Sequence, residues 1–65
     1  MGAIKKLREQ RNLTQEDLAS ELGVTRQMIS AIERGANPGV DLLKRLAAFF
    51  NVPTDYILNI ESSQI

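Results

Sequence analysis

Arg26, Gln27, Ser30, Ala31 and Arg34 are the residues of this sequence whose types and spacing could do chemistry, and that chemistry is recognition by hydrogen bonding. An arginine can meet a guanine edge with two hydrogen bonds, a glutamine an adenine edge, and a small apolar side chain a thymine methyl. Each good pair contributes about 1 to 3 kcal/mol of discrimination. Catalysis has no comparable support. The chain has no His and no Cys, which removes a histidine-activated nucleophile, a thiolate, a disulfide framework and the usual zinc, haem and iron-sulfur ligands. Only carboxylate or lysine chemistry is left for an enzyme. The expectation is a binding protein that is not an enzyme and uses no cofactor or metal.

The elements that must position those residues follow from punctuation and periodicity. Sixty-five residues and 7.2 kDa make a single domain, 1–65, and without staples so small a chain is most readily stabilised by well-packed helices. Ile4 and Leu7 define a narrow stripe on a first helix from Ala3 to Asn12. Thr14 caps a second helix, with Glu16 and Asp17 in its first turn and Leu18, Ala19 and Leu22 facing inward, and Gly23 ends it. Thr25 caps a third, about residues 26–34, that buries Met28 or Ile29 together with Ile32 and stops at Gly35. Assigning Met28, Ile29 and Ile32 inward leaves Arg26, Gln27, Ser30, Ala31 and Arg34 outward, with no acidic side chain in the first two turns.

Gly35-Ala36-Asn37-Pro38-Gly39 holds four turn-forming residues in five positions and reads as a loop. The most apolar stretch, Val40 to Asn51, reads as a central helix on Leu42, Leu43, Leu46, Ala47, Phe49 and Phe50, around solvated Lys44 and Arg45. Val52-Pro53 breaks it, and Thr54 caps a last helix to Ile60, followed by a tail to Ile65. The fold class expected is all-α, a compact five-helix domain. No segment approaches the roughly 18 apolar residues of a membrane span, so a cytoplasmic location is expected.

The stretch from Gln15 to Arg34 resembles the lambda-repressor-like helix-turn-helix family, which includes phage repressors, Cro proteins and Xre-type regulators. Two helices crossing steeply at a three-residue turn need a small residue at closest approach (Ala19), a turn glycine (Gly23) and a branched apolar residue facing back (Ile29). Glu33-Arg34-Gly35, the Leu-Leu-Lys-Arg-Leu-Ala-Ala-Phe-Phe-Asn-Val helix and Pro-Thr-Asp-Tyr-Ile-Leu extend the likeness over roughly residues 4 to 58. The resemblance implies a sequence-specific binder of double-stranded DNA that regulates transcription, as a repressor, with the helix 26–34 in the major groove.

It also implies the roles of individual residues. Arg26, Gln27, Ser30 and Ala31 become the base readers and Gln15 a phosphate contact; Thr25, and Arg34 and Asn37 from their place in or beside the loop, are the further phosphate candidates. Gln15 is favoured independently by the free N–H groups and dipole of its helix N-terminus. Glu16 and Asp17 must then face aside. Arg8 and Glu33 match a family pair that fixes the orientation of the recognition helix. Across Arg26 to Arg45 four basic residues oppose two acidic ones, so a zero net charge coexists with a locally basic face. A small reader gains by pairing on a two-fold symmetric operator, and Phe49, Tyr56 and Ile60 are the expected homodimer seam. The rival readings are an antitoxin or restriction-system controller with a protein partner, and an interaction module that does not read DNA.

Overall fold

A computed structural model describes residues 2–57. The helices are α1 (Gly2–Gln10), α2 (Gln15–Leu22), α3 (Arg26–Glu33) and α4 (Val40–Phe50), and residues 54–57 begin the fifth. The chain is all-α, and the described residues include no strand. The expected continuation of the last helix to Ile60, and the tail to Ile65, lie outside the described residues.

Local chemistry sets each helix end. The first helix stops short of the expected Asn12, because Asn12 adopts the left-handed conformation at φ 58° and the Leu13 N–H returns to the Arg8 carbonyl at 3.1 Å. Asparagine tolerates that region better than most residues, so it closes the helix as a glycine would. Thr14 then forms a reciprocal cap with Asp17. The Asp17 N–H donates to Thr14 Oγ1 at 3.0 Å, and the Thr14 N–H donates to Asp17 Oδ2 at 3.0 Å. Gly23, at φ 69°, reverses the chain, and Thr25 Oγ1 opens α3 by accepting the Met28 N–H at 3.1 Å. The loop enters α4 through an Asx turn in which the Gly39 N–H donates to Asn37 Oδ1 at 2.9 Å.

One core collects an apolar stripe from every helix: Ile4, Leu18, Ala19, Leu22, Ile29, Ile32, Leu42, Leu46, Ala47, Phe50 and Ile57. Leu7, Val24, Leu43, Phe49 and Val52 pack against its edge. Two arginines tie helix ends together across it. Arg11 donates to the carbonyls of Phe49 and Phe50, both at 3.1 Å, and lies over their rings at 5.4 and 5.2 Å. Arg45, read as solvated from sequence, instead donates to the Leu22 carbonyl at the end of α2. The last carbonyls of a helix lack partners within it and carry its negative pole, which attracts a guanidinium.

Candidate nucleic-acid interface

The third helix presents its first turn to solvent. Arg26 and Gln27 are exposed, Ser30 and Ala31 are half-buried, and Arg34 is exposed at the C-terminal cap. Ile29 and Ile32 alone bury the inner side of α3. Met28, assigned inward from sequence, is 42% exposed. It lies about 100° round the helix from Ile29 and one turn before Ile32, at the rim of a stripe those two residues already close. The outward surface therefore carries a large apolar side chain beside its hydrogen-bonding ones.

A three-residue network fixes α3 against the first two helices. Arg8 Nε donates to Glu33 Oε2 at 2.6 Å and Arg8 Nη2 to Glu33 Oε1 at 3.2 Å. Arg8 Nη1 also reaches the Leu13 carbonyl at 2.7 Å. Gln15 Nε2 donates to Glu33 Oε1 at 3.0 Å. The Arg8 and Glu33 side chains are 11% and 5% exposed. Burial by itself raises the Glu33 carboxyl pKa. The hydrogen bonds from Arg8 and Gln15, with the charges of Arg8 and Lys5, outweigh it and hold the group below the ordinary glutamate value. Arg8 is pushed above its ordinary value by the same hydrogen bond to Glu33. The pair is charged at neutral pH and joins the last turn of α1 to the end of α3.

The remaining polar candidates occupy the rim. Gln15 is half-buried, and its amide is shared with Glu33. It lines an open cleft with Arg8, Asn12, Leu13, Thr14, Glu16 and Arg26, so the start of α2 and the start of α3 meet there. Thr25 Oγ1 is used as an acceptor at the cap, which leaves its hydroxyl proton available to donate. Asn37 Oδ1 is engaged in its loop, and its amide N–H groups point to no described partner. Of the two acidic residues required to face aside, Asp17 is turned into the cap, where the Thr14 backbone hydrogen bond lowers its pKa. Glu16 is exposed and shares the cleft with Arg26.

At the expected seam, Phe49 is half-buried, edge-on to Phe50 at 5.1 Å and 81°, and covered by Arg11. Tyr56 is 41% exposed, and Ile60 lies outside the described residues. Sequence reasoning missed Arg11 and Arg45 as helix-end ligands and Met28 as a surface residue. The only available signal for the arginines was their position opposite helix C-termini, which requires the fold. No helix among the described residues is long and apolar enough to cross a membrane.

Comparison with known proteins matches residues 4–57 to the helix-turn-helix family. An uncharacterized HTH-type transcriptional regulator of Methanocaldococcus jannaschii is 45% identical over 62 residues, covering 94% of this chain and 94% of that protein. The cryptic phage CTXphi transcriptional repressor RstR of Vibrio cholerae is 32% identical over 63 residues, covering 95% of this chain and 57% of RstR. The HTH-type transcriptional activator BcrR of Enterococcus faecalis is 42% identical over 59 residues, covering 89% of this chain and 29% of BcrR. No solved structure matches. With Gly23 at the turn between α2 and α3 and Ala19 and Ile29 buried on the helices either side of it, the chain belongs to the helix-turn-helix family of lambda-repressor and Xre type, a family of DNA-binding transcriptional regulators.

Proposed function

We propose that this chain is a sequence-specific, double-stranded DNA-binding repressor that inserts the first turn of α3 into the major groove. The observation that carries the reading is the exposure of Arg26 and Gln27 at the start of a helix whose first two turns contain no acidic side chain. Arg26 and Gln27 read base edges, with Ser30 and Ala31 closing on the same bases. Gln15, Thr25, Arg34 and Asn37 set the register by contacting phosphates, which position the helix without specifying sequence. Arg8 and Glu33 hold α3 at the angle this requires. Repression is the reading taken from RstR, of which this chain covers 57%, over the activator BcrR, which is more identical but covered to only 29%; a cytoplasmic location goes with it, and no observation favours a toxin partner.

Two copies reading half-sites about 34 Å apart supply the specificity that one short helix lacks. Tyr56, exposed beside the end of the core, is the side chain best placed for that contact, with Phe49 supporting it from α4. Selection of bound duplexes from a random DNA pool, followed by gel mobility shift of the recovered site, tests the reading. Arg26→Ala and Gln27→Ala each relax preference at a different base pair and weaken binding by about 5- to 100-fold. Unchanged affinity and preference in both variants would show that α3 is not the reading element. Sedimentation of the protein with its DNA at high micromolar concentration tests the pairing, and a single copy per site removes the homodimer.

A further inference from the structure

We infer that Met28 determines specificity by packing against the C5-methyl group of a thymine in the major groove, an inference that rests on the proposed DNA-reading role of α3. Met28 stands in the first turn of the helix, beside Gln27, and its backbone N–H is fixed to Thr25 Oγ1 at 3.1 Å. The side chain is 42% exposed, whereas Ile29 and Ile32 supply everything α3 contributes to the core. Packing within the chain therefore accounts only for the covered part of the side chain. A thioether has no hydrogen-bond donor and is a poor acceptor, so it gains little from the purine edges or the cytosine amino group. The one apolar group that base pairs present in the major groove is the thymine methyl. Methionine is unbranched and polarisable, and it adapts to such a contact without a fixed rotamer. Met28 lies one turn before Ala31, a proposed base reader on the same edge of α3, and next to Gln27, and that continuity selects DNA over a protein surface as the occupant.

The half-site recovered from a random pool provides the test. Each thymine is replaced in turn by deoxyuridine, which deletes only the methyl group, and affinity is measured for the wild-type chain, Met28→Ala and Met28→Leu. One thymine per half-site is expected at which the wild type loses about fourfold, the worth of one buried methyl. Met28→Ala loses nothing at that position, and Met28→Leu keeps most of the penalty. Melting curves of all three proteins establish that each is folded at the temperature of the binding measurements. The inference is overturned if wild type and Met28→Ala respond alike to every deoxyuridine, or if the recovered half-site contains no thymine. A pool that yields no preferred sequence overturns the DNA-reading role as well, so the two failures are distinguishable.

Discussion

Replacing Glu33 by Gln leaves the Arg8 guanidinium in a site where the two side chains are 11% and 5% exposed. An exposed pair contributes less than about 1 kcal/mol, while breaking a fully buried one costs about 3 to 5 kcal/mol. This pair sits at the edge of a small core, and a loss of about 2 to 3 kcal/mol is expected at pH 7 from urea denaturation. For a 65-residue chain that is a large part of a total of about 3 to 10 kcal/mol. The Glu33 carboxyl is held below its ordinary value, so its contribution is complete above that value and is lost as pH falls through the folded-state value. Stability of the wild type should therefore decline from about pH 5 downward. Part of that acid loss belongs to Asp17, which is also lowered, so Glu33→Gln flattens the profile without abolishing it; equal slopes would remove Glu33 as a contributor. At Glu16, exposed in the cleft beside Arg26, neutralisation to Gln should tighten DNA binding by about two- to fivefold at low salt and less at high salt.

Gly23 has φ 69°, and a Cβ there would meet only Arg45 Nη2 at an ordinary 3.6 Å. The cost of Gly23→Ala is thus the left-handed backbone rather than a clash, about 1 to 2 kcal/mol, equivalent to a melting temperature lower by roughly 4 to 16 °C in a domain of this size. Calorimetry showing no change would mean the turn relaxes away from that conformation. Thr14, Thr25 and Gly23 announced the ends of α2 and the start of α3 through short-range chemistry, so those boundaries were legible in the sequence. The end of α1 was less so, because the left-handed Asn12 is rarer than glycine and competes with an uninterrupted polar run. Met28 was misplaced for a related reason: helical periodicity ranks residues by angle, but depth at the rim of a core depends on how far the neighbouring helices reach.

At the scale of the whole molecule, the zero net charge is distributed by the fold. Arg8, Arg11 and Arg45 are committed to Glu33 or to helix-end carbonyls, while Arg26 and Arg34 make no ion pair among the described residues. A dimer that places Arg34 of each subunit on a phosphate and Arg26 on a base edge should show a salt slope of about 2, and Arg34→Ala should lower it by about 1 per subunit without altering base preference. A slope near 10 would indicate electrostatic coating instead. Sequence alone determined the all-helical class and the two-helix turn around Ala19, Gly23 and Ile29, and put forward Arg26 and Gln27 as the proposed readers, because caps, turn glycines and apolar spacing act over a few residues. Only the tertiary structure decided which charges are spent inside the chain and which face outward. It added Gln15 to the Arg8–Glu33 pair that the family resemblance implied, drew Arg11 and Arg45 onto distant helix ends, and left Met28 outside a core already closed by Ile29 and Ile32. Those outcomes depend on where helices remote in sequence end beside one another, which no local pattern specifies.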